Sequence, residues 1–195
     1  MLPLQVIEDP STAAVALDPV RARLLAELAE PASASALATR LGIPRQRVHY
    51  HLQVLEQHGL LRTVEERRWG GLVERVLQAH ASAHVVSPAV LDPVACDPAR
   101  HADRLSASYL VALGARLVRE LGELLRRADH EGKRLATLAI DTEIHFASAA
   151  DRAAFSAELT EAITTLAARY HHPGGRAHRL MVAAHPLPQP TEERS

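Results

Sequence analysis

Between residues 18 and 77, three helix patterns run directly into two strand patterns joined by a glycine pair, and few architectures accept that order. Asp18-Pro19 sets a capping carboxylate before a proline at the first helical position, where a missing N–H costs nothing. Val20, Leu24, Leu25 and Leu28 follow at helical spacing, and the pattern ends before Pro31. Ser33 or Ser35 can cap a second, short helix carrying Leu37, Ala38 and Leu41. Gly42 interrupts it, because glycine tolerates the positive φ of a tight turn. A third helix is expected from Pro44 to about His58, with Val48, Leu52 and Leu55 on one face and Gly59 as its stop. Leu60–Val64 and Leu72–Leu77 then read as strands, with Arg67-Arg68-Trp69-Gly70-Gly71 as the hairpin loop between them.

The rest of the 195-residue chain bounds what such a module can belong to. An apolar share of 47% is enough for a buried core and excludes whole-chain disorder. No uninterrupted apolar run reaches the ~18 residues of a membrane span. The start, Met1 to Asp9, has no basic flank and turns acidic early, unlike a signal peptide, so a cytoplasmic protein is expected. A single cysteine, Cys96, excludes an internal disulfide and a thiolate metal cage within one chain. The formal net charge of −1 gives no global hint of nucleic acid, so any such signal must be local. All basic residues except Lys133 are arginines, which with the abundant alanine, leucine and proline looks like GC-rich coding bias, so arginine in place of lysine carries little functional information.

Asp92-Pro93-Val94-Ala95-Cys96-Asp97-Pro98 cannot be continuous helix, since each proline lacks an N–H and restricts the residue before it. A boundary placed there divides the chain into residues 1–92, 93–186 and a frayed tail at 187–195. From Ala99 to about Ala128 a long helix is expected, with Leu105, Tyr109, Leu110, Leu113, Leu117, Leu121, Leu124 and Leu125 forming a wide apolar stripe. A stripe that wide suits a helix buried against its own domain and against a partner. Leu135–Phe146 alternates, with Leu138, Ile140, Thr142, Ile144 and Phe146 on one face and Asp141, Glu143 and His145 on the other. A helix from about Ala150 to Tyr170 and a strand near His178–Ala184 complete an expected α-β-α-β arrangement able to enclose a small ligand. The fold class expected is thus mainly α with a small β content (α+β).

Three helices followed by a β-hairpin make a winged helix-turn-helix, and the residues agree. Ala38-Thr39-Arg40-Leu41-Gly42-Ile43, then Val48, His51-Leu52, Leu55 and Gly59-Leu60-Leu61, resemble the ArsR-like family of bacterial winged-helix transcriptional regulators. The resemblance covers roughly Ala13 to His80 and departs at Pro44, where the family usually has a capping serine or threonine. It implies a homodimer, formed here through the long helix, that occupies an operator in double-stranded DNA as a repressor. The residues support this independently. Between Glu30 and Glu56 there is no acidic residue, while Arg40, Arg45 and Arg47 are present with His49 and His51. With Val48, Leu52 and Leu55 turned inward, Arg45, Gln46, His49, Tyr50 and Gln53 face outward on a recognition helix spanning residues 44–58. Arginine can pair bidentately with guanine and glutamine with adenine in the major groove, while the wing (62–76) would set Arg67 and Arg68 on the backbone. His51 lies near the inward face and suits a structural, hydrogen-bonded role; Trp69 suits packing under the wing.

Two other functions fit parts of the pattern. Winged helices also serve as protein-contact modules, and their polar faces can be merely solvated. Asp141, Glu143 and His145 could ligate zinc, nickel or manganese with His171 or His172 in a metal-responsive regulator, although a solvated sheet face alternates in the same way. No cofactor is indicated, and the effector, a small molecule where there is one, is not legible. An enzyme is not expected: the chain has no Gly-rich phosphate loop, no Gly-x-Ser-x-Gly elbow and no His-Glu-x-x-His helix.

Overall fold

The computed structural model describes residues 1–69 and 72–188, apart from the side chains of Trp69 and Leu72. The Gly70-Gly71 turn, the Trp69 packing and the tail from 189 onward therefore lie outside the described residues. The chain forms two compact units, Met1–Ala136 and Thr137–Ser195. That division falls beyond the Asp92–Pro98 stretch because the long helix packs with the first unit.

In the first unit, β1 (Gln5–Ile7) leads into α1 (Pro10–Ala16), α2 (Pro19–Glu27), β2 (Ala32–Ser33), α3 (Ala34–Leu41) and α4 (Arg45–Gln57). The wing follows as β3 (Leu61–Trp69) and β4 (Leu72–Ala79), and β5 (His84–Val86) returns to β1. Local chemistry sets most of these ends. Asp9 accepts from the Thr12 amide, Asp18 from those of Val20 and Arg21, and Ser33 from that of Ala36, so each helix start gains a partner for its orphan N–H groups. Ser33, not Ser35, is thus the cap of α3. Gly42 closes α3 at φ 64, a left-handed conformation that any side chain would strain.

The helices converge on Leu24, Leu28, Leu37, Val48, Leu55 and Leu60, all fully buried. Each such side chain contributes roughly 1.5–3 kcal/mol of transfer free energy. The wing is antiparallel, with Arg67 opposite Glu74 and a register irregularity between Thr63 and Glu65; β2 adds to its other edge as β2-β4-β3. Arg67 and Arg68 consequently lie within β3 rather than in the hairpin loop. The pair β1-β5 is parallel, with Gln5 opposite His84. Neither of these three-residue strands, nor α1, was expected, because they are too short to show a period.

The long helix α5 runs from Ala107 to His130, not from Ala99. Pro98–Arg100 forms only a single 3-10 turn, and Ser106 caps α5 by accepting from the Tyr109 amide. Ala112, Ala115 and Gly122 bury one edge of α5, which packs against β1. The approach is close: a Cβ at Gly122 would stand 2.5 Å from Val6 Cγ2.

The second unit contains α6 (Ala149–Tyr170), capped by Ser148, and the Phe146 and Phe155 rings meet at 5.3 Å. The expected α-β-α-β arrangement is corrected here. Among the described residues, neither Leu135–Phe146 nor His178–Ala184 forms a strand, and the second half has two long helices joined by a segment without a ladder. Alternation alone does not make a strand, since its N–H and C=O groups need a partner strand to bond.

Candidate nucleic-acid interface

Helix α4 divides sharply into two faces. Val48, His51, Leu52 and Leu55 are buried, while Arg45, Gln46, Arg47, His49, Tyr50 and Gln53 are all exposed. That is the separation expected of a helix whose outer face remains available to a partner. Pro44 precedes α4, and no side chain caps its N-terminus. Arg45, His49 and Gln53 recur every four residues and line a groove whose far wall is β4, with Glu74 and Arg75.

The acid-free window in the sequence is not acid-free in space. Arg40 pairs with Glu27 at 3.7 Å, and Arg67 donates two hydrogen bonds to Glu65 at 2.9 and 3.0 Å. Arg75 grips both carboxylate oxygens of Glu56 and also reaches the Thr63 hydroxyl. These contacts hold the Glu56 and Glu65 carboxyls below their ordinary pKa, chiefly through the hydrogen bonds from Arg75 and Arg67. Glu74 is lowered for a different main reason, the hydrogen bond from the Ser35 hydroxyl, which in turn meets that of Ser33 at 2.9 Å. Among the described residues, Arg45, Arg47 and Arg68 have no carboxylate within ion-pair distance. The outward positive charge is therefore narrower than the sequence suggested. On α4 and the wing it lies on Arg45 and Arg47 in the first turn of α4 and on Arg62 and Arg68 of β3, Arg62 meeting only the neutral Gln78 amide.

His51 is buried as expected but is not hydrogen-bonded: neither ring nitrogen has a partner, and the ring meets Tyr50 edge-on at 5.4 Å. Burial lowers its pKa, the Asp18 carboxylate opposes that shift, and Arg21 and Arg47 reinforce it. Glu56, Glu74 and Arg75, which line the groove beside α4, were not singled out from the sequence. The signal that finds them is the hairpin register, which places Glu74 and Arg75 on the strand beside α4.

In the second unit Asp141, Glu143 and His145 are exposed on a segment without a ladder, and His171 and His172 follow the end of α6. The described residues contain no group of three or more His, Cys, Asp or Glu placed to hold a metal ion. No helix among them is long and apolar enough to cross a membrane.

Residues 16–64 match a family model described as a helix-turn-helix domain. No curated protein matches the chain. The matched residues take in α2, α3, α4 and the start of β3, the part of the fold that carries the buried cluster and the two-faced helix. Residues 16–64 are thus a helix-turn-helix domain of the ArsR-like family.

Proposed function

We propose that this protein is a sequence-specific DNA-binding transcriptional regulator, acting as a homodimer and by operator occupancy as a repressor. The observation that carries the reading is the two-faced α4, with its apolar side in the core and Arg45, Gln46, Arg47, His49, Tyr50 and Gln53 all outward. An α-helix fits the major groove, where an arginine–guanine or glutamine–adenine pair discriminates by about 1–3 kcal/mol. Arg68, with Arg67 once released from Glu65, would touch the backbone and set register rather than sequence.

One helix-turn-helix has a small footprint, and a twofold dimer presents two recognition helices about 34 Å apart to successive major grooves. Helix α5 is the dimer surface in this reading. Leu110, Leu113, Leu117, Leu121 and Leu124 recur on the side opposite its docked edge of Ala112, Ala115 and Gly122. Residues 1–92 then act as the DNA-binding part and 93–186 as the dimerising part, where a small-molecule effector would alter the spacing of the two helices.

Selection of bound sequences from a random DNA pool tests the reading. Enrichment of a near-palindromic motif supports it, and no enrichment overturns it. Arg45→Ala is expected to weaken binding and relax preference at one base, read by titration against the selected site. The pairing of Arg40, Arg67 and Arg75 with carboxylates favours a second reading, a protein-contact module, because it thins the positive field. Binding to DNA that is indifferent to salt would favour that module.

A further inference from the structure

A helix in the major groove and a hairpin on the adjacent minor groove are separated by one phosphodiester strand. In the proposed DNA complex that strand must run along the groove between α4 and β4. Four charged side chains line it: Arg45, Glu56, Glu74 and Arg75. Glu56 and Arg75 cancel one another through their two hydrogen bonds. Glu74 is different. Its cross-strand neighbour Arg67 turns to Glu65 instead, and the Glu74 carboxylate is held by neutral hydroxyls, accepting from Ser35. Among the described residues no cation stands within ion-pair distance of it.

We propose that Glu74 is an affinity-limiting residue of this interface: a fixed carboxylate without a direct ion pair, on the path of the phosphodiester strand, that offsets the charge of Arg45 and weakens binding to every duplex alike. The assignment rests on the DNA-binding reading above. Its consequence is that electrostatics alone gives this domain little hold on DNA, so that base contacts from the outer face of α4 decide where it stays. A phosphate several ångströms from a unit negative charge near a wet surface loses about three- to tenfold in affinity at low salt.

The test is Glu74→Gln, which keeps an oxygen acceptor for the Ser35 hydroxyl and removes only the charge. Binding of the full chain to a random-sequence duplex and to its selected site is followed by fluorescence anisotropy over a salt series. The expected result is binding about three- to tenfold tighter than wild type on both duplexes, with the gain shrinking as salt rises. Ser35→Ala loosens the tether and keeps the charge, and is expected not to tighten binding. Glu74→Gln binding no tighter than a wild type that binds well overturns the assignment and leaves the DNA reading intact. Equal tightening by Ser35→Ala also overturns it, because the tether rather than the charge would then be responsible. If neither wild type nor variant binds either duplex, the DNA reading falls and takes the assignment with it.

Discussion

Residues 45–57 and 137–146 both carry a regular apolar pattern, one with a helical period and the other with a period of two. In the first, Val48, Leu52 and Leu55 are 0–2% exposed; in the second, Leu138 and Ile140 are 86% and 84% exposed. The difference lies in where each backbone finds its partners. A helix closes its hydrogen bonds within itself, so α4 needs α2, α3 and the wing only to cover its apolar side. A strand has no internal bonds, and among the described residues of this chain nothing pairs with 137–146. An apolar period therefore placed the buried face of α4 and did not suffice to place a strand at 137–146.

That contrast can be broken or sharpened by mutation. The largest effect is expected from Leu55→Ala, which empties a fully buried site and should cost about 2–5 kcal/mol in urea unfolding. A loss below about 1 kcal/mol would mean that the α4 face is not core. Gly122→Ala comes next, because its Cβ would stand 2.5 and 2.6 Å from Val6 side-chain atoms. Overpacking should cost about 1–3 kcal/mol, partly offset by up to ~1 kcal/mol of helix propensity. Net stabilisation would show that α5 does not dock there. The third effect is on pH dependence. The folded pKa of His51 lies below its ordinary 6.5, so on acidification the unfolded chain takes up the proton first, and stability falls as pH drops through that value. Half-buried His84, whose pKa is also lowered by desolvation, adds with the same sign. Between about pH 7.5 and 5.5, His51→Leu should lose stability less steeply than wild type; equal slopes would remove His51 as a source. The smallest effect is expected in the second unit, where Leu138→Ser with Ile140→Ser should change stability by less than about 0.5 kcal/mol. A loss comparable to that of Leu55→Ala would show both side chains covered in solution.

Much of the helix-turn-helix part was legible because its signals act over three or four residues. Asp18-Pro19 starts α2, Gly42 ends α3, and the faces of α4 follow from Val48, Leu52 and Leu55. The start of α5 was read too early, since Pro98 yields only one turn before Ser106 caps the real helix. The charge of the interface was misread for another reason. Arg40 meets Glu27, and Arg75 meets Glu56, across sequence distances that a linear scan for acid-free stretches does not inspect.

The amino-acid order by itself determined α2, α3 and α4, the Asp18 cap of α2, the Gly42 end of α3 and the apolar side of α4, because those depend on bonds and contacts within a turn or two. Only the tertiary structure decided the pairing of β1 with β5, the docking of Gly122 on Val6, and the placing of Glu74 beside Ser35 instead of on Arg67. Each of those joins residues far apart in the chain, where the hydrogen-bond partner and the sign of the neighbouring charge are fixed by packing and ladder register rather than by what stands next in sequence.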